Sequence, residues 1–435
     1  MKDIRIFFKY VIPSVLALAL SGVYAIVDGF FVGNSVGDIG LSAINVAYPI
    51  TALIQAIGIG IGMGGAVYYS IKRAENNNKE AKEYVAVSIW LLIIASIVLT
   101  VVFFTFANPF IKLLGGSGEL LSLAEKYVKV ISIGATLQII ATGLVPFIRN
   151  NGSSFYAMIA MVLGFSSNII LDYLLVWVRK GGIEGAAYAT IIGQGITMII
   201  AIIYLLKNKL LSLKFDFSKA KNIFKSTIKV GLAPFGITMT PNISLIIVNR
   251  FTVFYGGEQS IATYACIEYV IWIIYLILQG VGDGSQPLMS KYYGEKNYKK
   301  LKDVRKQAYG FGLFLAICSC IIMYIIRSDI GTLFGASNAV NDEISKVMII
   351  FLVSFPFVAI NRITTASFYA TEKSSLAYIS TFIEPISMLI FILILPPLFG
   401  GQIMIWWSTV FARIISAILA LAMKHYTTEQ VSINT

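Results

Sequence analysis

Twelve long apolar runs, separated by short polar connectors, dominate this 435-residue sequence and leave few folds open to it. They cover residues 10–32, 41–70, 84–106, 123–148, 154–178, 184–206, 229–254, 260–290, 308–327, 343–368, 374–398 and 402–424. Each holds the ~20 apolar residues needed to cross the hydrocarbon of a bilayer. A lipid-exposed backbone must satisfy its own hydrogen bonds, so every run is expected to be a helix. The two-residue alternation of a barrel strand is absent. Composition agrees: 57% of residues are hydrophobic and 13% charged, against about 25% charged in soluble domains. That balance excludes an ordinary soluble enzyme, a disordered chain and a disulfide scaffold. It predicts an all-α integral membrane protein with 12 transmembrane helices.

The connectors test the count. The net charge is +12, from 34 Lys+Arg and 22 Asp+Glu. In a soluble protein this excess would suggest nucleic acid. Here the basic residues lie between apolar runs and point to the lipid bilayer, with no nucleic acid expected. With the N-terminus inside, inner segments carry Lys2, Arg5 and Lys9, then Lys72, Arg73, Lys79 and Lys82, then Arg149. Further on they carry the lysines from Lys207 to Lys229, the Lys/Arg group from Lys291 to Lys306, Lys373 and Lys424. Outer loops carry only Lys112, Arg179, Lys180 and Arg327. Positive residues gather on the cytoplasmic side, so both termini are expected to be cytoplasmic. Cys266, Cys318 and Cys320 sit in apolar runs without metal spacing to the lone His425, and read as small buried residues. The basic-then-apolar N-terminus mimics a signal peptide, but it lacks an A-x-A site and Asp28 interrupts the apolar stretch.

The two halves of the chain repeat. A shift of 220 places Gly60, Gly62, Gly64, Ser70, Glu75, Asn77 and Lys79 on Gly280, Gly282, Gly284, Ser290, Glu295, Asn297 and Lys299. A shift of 221 places Val27-Asp28 on Val248-Asn249 and Ser153-Ser154 on Ser374-Ser375. Six spans in each half make the repeat parallel. The expected architecture is two six-helix lobes related by a pseudo-two-fold along the membrane normal, as in secondary transporters. The N-lobe is read as 1–206, a lysine-rich cytoplasmic linker as 207–228, and the C-lobe with a short cytoplasmic tail as 229–435. Gly60, Gly62 and Gly64 read as close helix packing. No P-loop GK[ST] occurs, so ATP is not the expected energy source.

An ionisable residue within a span costs at least ~2.5–3.5 kcal/mol, so each one needs a reason. Asp28 in the first span and Asp172 in the fifth are the clearest cases. Asn168 and Asp172 lie on one helical face at i, i+4, as do Tyr24 and Asp28 in span one, and Thr190 and Gln194 in span six. Converged, Asp28, Asn168, Asp172, Thr190 and Gln194 would make an oxygen-rich coupling site for Na+ or a proton. The alternative is that these groups make interhelical hydrogen bonds holding the lobe together. Glu268, Asp283 and Glu384 could face a central cavity and attract a cationic substrate, or pair with Arg250, Arg362 and Arg413. Tyr24, Tyr48 and Tyr264 could line that cavity through stacking and cation–π contact, or pack in the core.

At this point the sequence resembles a known family, the multidrug and toxic compound extrusion (MATE) transporters, over essentially its whole length. The resemblance rests on Val27-Asp28-Gly29-Phe30 with Pro13 upstream, and on Asn168-x-x-x-Asp172. It rests also on the run Glu184-Gly-Ala-Ala-Tyr-Ala-Thr190 and on Gln286-Pro287-x-x-Ser290 with Gly294. In the DinF-like and archaeal branch the matching residues form the N-lobe cation or proton site, which implies that role for Asp28, Asn168, Asp172 and Thr190, with Na+ as an alternative to H+. The NorM-like branch also uses acids on spans seven and ten. Those spans here carry Arg250 and Arg362 and no mid-span acid, so coupling is placed in the N-lobe. The loop layout is similar to the MepA-like branch.

The resemblance implies a cation-coupled (H+ or Na+) antiporter exporting lipophilic, often cationic drugs or toxins by alternating access. It is not an enzyme, and no cofactor is expected beyond the coupling ion. It would be a monomer, multi-pass in a bacterial cell (inner) membrane. Two rivals stay open. A lipid-linked saccharide flippase of the same superfamily would want an arginine-lined cavity, and only three arginines lie within spans. An intramembrane aspartyl protease would use Gly280-Val281-Gly282-Asp283 with Asp172 as its partner.

Overall fold

A computed structural model describes residues 2–334 and 336–433; the last two residues of the expected cytoplasmic tail lie outside them. Its helices are α1 Lys2–Val36, α2 Asp38–Ala74, α3 Asn78–Thr105, α4 Ala107–Leu113, α5 Gly118–Ile133, α6 Ala135–Asn150, α7 Ser154–Asp172, α8 Gly182–Lys207, α9 Phe217–Gly294, α10 Tyr298–Ile326, α11 Ile330–Leu333, α12 Asn338–Leu352, α13 Phe355–Ala370, α14 Ser374–Phe399 and α15 Gly401–Ile433. A π-helical stretch, Tyr173–Val178, continues α7. No strand occurs among the described residues.

Ten helical segments are long and apolar enough to cross a bilayer, and the bent pairs α5–α6 and α12–α13 bring the number to as many as twelve. The α9 helix supplies two of the ten, Phe217–Gly257 and Gln259–Gly294. They meet at Gly257, whose φ of 66° is open mainly to glycine. The spans read over 123–148 and 343–368 are each bent, by 55° and 45°. Pro356, in the first turn of α13, cannot continue α12. At the other bend a Cβ on Gly134 would meet Ile191 Cγ2 at 2.1 Å, so only glycine lets α8 fill the inside of the corner.

The repeat is visible in the backbone. Positive φ recurs at intervals of 220 residues, at Gly37 and Gly257, Asn76 and Lys296, Gly152 and Glu372, and Lys180 and Gly400. The same turns therefore connect the same spans twice. Polar residues set the ends: Asn77 caps α3 by accepting from Glu80 N–H (3.2 Å) while its amide donates to the Glu80 carboxylate (2.7 Å).

The chain divides into two compact units. An N unit holds residues 20–239 and 290–297, and a C unit holds residues 2–19, 240–289 and 298–433. Each has its own apolar core, around Ile54, Leu92, Ile111 and Phe147 in the N unit and around Tyr264, Phe351, Phe355 and Trp406 in the C unit. The unit boundaries fall inside α1, inside both arms of α9 and just ahead of α10. The start of α1 packs in the C unit, where a Cβ on Gly280 would meet Val15 Cα at 2.6 Å and one on Gly284 would meet Val11 Cα at 2.7 Å. The start of α9 packs in the N unit, where a Cβ on Gly64 would meet Thr227 O at 2.1 Å and one on Gly60 would meet Gly231 O at 3.0 Å. The glycines read from sequence as packing residues thus let backbones touch.

Candidate functional site

In the N unit, α7 and α8 approach so closely that their backbones nearly touch. A Cβ on Gly164 would meet Thr197 Oγ1 at 2.0 Å and Gly193 O at 2.8 Å; one on Gly193 would meet Gly164 O at 2.7 Å. That crossing brings Asn168 of α7 against Thr190 of α8. With the Asn168 amide oriented to satisfy both its ends, its nitrogen donates to Asp172 Oδ2 (3.1 Å) and its oxygen accepts from Thr190 N–H (3.0 Å). The Asn168–Asp172 spacing of one helical turn is what makes the first of these bonds.

The C-terminal half of α1 is held against this pair of helices at two levels. Tyr24 stacks on Phe165 with centroids 4.9 Å apart and planes 7° from parallel. Ser35 Oγ donates to Val176 O (3.1 Å) in the π-helical stretch, and Val32 packs with Val176 and Ala186. Asp28 lies between those two levels, close enough for its carboxyl group and that of Asp172 to act on each other. Two ionised carboxylates are acceptors only and repel each other, so a pair this close can be eased by a proton or a cation. Asp172 and Asn168 are buried. Asp28 Oδ1 and Asp172 Oδ1 are both enclosed and make no hydrogen bond.

The structure therefore brings together Asp28, Asn168, Asp172 and Thr190. Gln194, one turn along α8, is half-buried and makes no hydrogen bond with them. Tyr24 and Tyr127 of α5 lie within electrostatic reach of the acid pair, while Tyr48 is exposed and acts on those two tyrosines. Tyr127 and Phe165 were not singled out from sequence. Tyr127 shares no helix with any of the acids, so no spacing pointed to it. The available ligands are all oxygen, from carboxyl, amide and hydroxyl, a set suited to a proton or a hard monovalent cation. No cluster of three or more His, Cys, Asp or Glu that could hold a metal occurs among the described residues.

The remaining candidates lie in the C unit. Glu384 of α14 pairs with Arg413 of α15 (3.3 Å). The Arg413 guanidinium sits 4.9 Å from the centre of the Tyr275 ring and donates to Ser354 Oγ (3.5 Å). Glu268 contacts the Tyr264 hydroxyl and lies in the field of Arg413. Tyr264 itself is buried in the core, stacked on Trp406 at 5.3 Å. Asp283 accepts a hydrogen bond from Tyr369 (3.1 Å).

A family model, MatE, matches the chain twice, over residues 13–174 and 234–395, once for each half of the repeat. The chain belongs to the MatE family. The family is one of membrane transporters, which removes the aspartyl protease alternative. Over 98% of its length the chain is 25% identical to the multidrug export protein MepA of Staphylococcus aureus, covering 94% of that protein. It shares its fold with a MOP superfamily transporter from Pyrococcus furiosus whose binding pocket is described as of reverse polarity (TM-score 0.92, 20% identity, 99% of this chain and 97% of that one). It superposes equally on a multidrug resistance MATE family transporter in an outward-facing conformation (TM-score 0.92, 20% identity, 98% and 96% covered). Like these MatE relatives, the chain is a multi-pass membrane protein, built as an all-helical internal duplication.

Proposed function

We propose that this protein exports lipophilic, often cationic drugs or toxic compounds in exchange for H+ or Na+. The observation that carries the reading is the Asp28–Asp172 pair, two buried carboxyl groups on different helices with an enclosed oxygen on each. Structural hydrogen bonds can use neutral groups at lower cost in a bilayer. Paired acids add the ability to take up and release a positive charge. The multidrug export function of the staphylococcal relative supports the substrate class.

In this mechanism a substrate enters from the cytoplasm or inner leaflet, and the two lobes, each moving as a body, turn the opening outward. The coupling ion then enters from outside, favoured by ~2.3 kcal/mol per charge per 100 mV of membrane potential. It binds at Asp28 and Asp172, with the Asn168 amide and Thr190 hydroxyl as neutral oxygen ligands. Occupancy lowers the affinity for the substrate, which leaves outward, and return to the inward state frees the ion. The protein acts as a monomer in a bacterial cell membrane with both termini cytoplasmic. In the C unit, Arg413 is engaged by Glu384 rather than held open for a pyrophosphate, which weighs against the flippase reading.

The test is dye efflux from a pump-deficient bacterium, in Na+-free and Na+-containing buffers, with wild type, Asp28→Asn and Asp172→Asn. Loss of gradient-driven efflux in both variants at unchanged membrane levels is expected. Full activity in either variant would sink the assignment.

A further inference from the structure

A second cluster of charge lies away from the acid pair, at the end of the C unit where α10 begins, α13 turns into α14 and α15 runs out. Lys373, in the turn before α14, and Lys424 on α15 both lie within electrostatic reach of Arg305 on α10. The Lys424 ammonium sits 4.2 Å from the centre of the Tyr309 ring. Tyr309 is in turn fixed by a 2.7 Å hydrogen bond to Thr364 of α13. Arg305 Nε is enclosed and makes no hydrogen bond. Among the described residues no carboxylate acts on Arg305 or Lys373, and neither forms an ion pair. Burial, followed by the nearby Arg305 charge, holds the Lys373 ammonium below the ordinary lysine range.

The matching end of the N unit is built differently. There Tyr204, 220 residues before Lys424, donates to Ser153 (2.6 Å) and accepts from Asn151 (2.8 Å), which accepts in turn from Tyr69 (2.8 Å). Val85, 220 residues before Arg305, is a buried apolar side chain. The Arg73 guanidinium donates to both Tyr69 and Asn151, so the cation at that end is met from within by neutral acceptors. The C unit instead gathers like charges around a half-buried guanidinium, an arrangement that costs free energy unless an anion from outside completes it.

We propose that Arg305, Lys373 and Lys424 form a binding site for a phosphate group, carried by an anionic lipid headgroup or by a soluble phosphate. The guanidinium offers a planar fork matched to phosphate oxygens, and the two ammonium groups add point charges that need no fixed geometry. The site lies on the side expected to be cytoplasmic, at the level of the helix ends, where basic pockets between helices meet anionic headgroups.

Thermal unfolding and native mass spectrometry of the full chain test this. The protein is placed in phosphatidylcholine nanodiscs with increasing phosphatidylglycerol, and separately in detergent with inorganic phosphate against chloride at equal ionic strength. The wild type should gain stability and retain the anion. Arg305→Gln combined with Lys373→Gln should weaken the apparent affinity by about tenfold. Lys373→Gln alone, a change in a turn, should weaken it about threefold and should raise the midpoint in pure phosphatidylcholine by relieving repulsion. A response to phosphatidylglycerol alone identifies the lipid as the source; a response to both admits soluble phosphate. No response to either anion, or equal responses in wild type and both variants, overturns the proposal.

Discussion

The N unit and the C unit bury acids by opposite means. In the N unit Asp28 and Asp172 lie close to each other, with a neutral amide and a threonine beside them, and among the described residues no basic side chain acts on them. In the C unit Glu384 lies against Arg413, Glu268 shares the field of that guanidinium, and Tyr264 and Tyr275 surround them. A fixed internal cation satisfies an acid permanently, whereas an acid pair without one must exchange its positive charge with solution. On the proposed reading, the same duplicated scaffold yields a polar core that holds helices together in the C unit and a group that loads and unloads a cation in the N unit. The difference predicts that mutations in the N unit change coupling, and those in the C unit change stability.

The largest effect is expected at the acid pair. Asp172→Asn should reduce gradient-driven efflux in proteoliposomes by about 100-fold, near the upper end of a coupling free energy between sites, with the thermal midpoint little changed. A midpoint collapse with coupling intact would erase the contrast. Next, Glu384→Gln should destabilise by about 3–5 kcal/mol, because it strands a buried guanidinium. Denaturant or thermal unfolding reads this, and replacing Glu384 and Arg413 together with methionine should restore most of the loss. If the single variant instead abolished coupling at wild-type stability, the C unit would be an ion site as well.

Gly164→Ala sharpens the comparison at the helix crossing. Its new methyl meets Thr197 Oγ1 at 2.0 Å and Gly193 O at 2.8 Å, so α7 must move from α8 at a cost of about 1–3 kcal/mol. The shift separates Asn168 from Thr190, and the half-saturating ion concentration for efflux should rise along with the stability loss. Tyr127→Phe should change that half-saturation by about fivefold, the scale of one buried polar interaction, with no change in melting. The smallest effect is expected for Ser35→Ala, which removes one bond between α1 and the π-helical stretch and should cost about 0.5–1.5 kcal/mol. Proteolysis of the C-terminal half of α1 would report it.

Much of this molecule is legible in its sequence. Asn168 and Asp172 were paired by a spacing of one helical turn, and that spacing gives the bond between them. The 220-residue shift found in glycines and loop residues reappears in the positive-φ turns. The acids at positions 28 and 172 stood out because charge in an apolar run is costly whatever the neighbours are. What could not be read was which helices would lie side by side. Tyr127 and Phe165 meet the site only because α5 and α7 pack next to α1 and α8. Likewise Arg413 is as apolar in sequence context as Asp172, and only the placement of α14 beside α15 gives it Glu384.

The sequence by itself determined that the chain crosses a membrane about twelve times, that its halves duplicate, and which polar groups are costly enough to require a reason. These are local properties, set by the transfer free energy of each segment and by helical periodicity. The tertiary structure decided which costly groups find one another: two acids across α1 and α7, or an acid and an arginine across α14 and α15. Such meetings depend on glycines that let backbones touch, and on bends at Gly134 and ahead of Pro356. Their geometry is set by long-range packing, which no window along the chain contains.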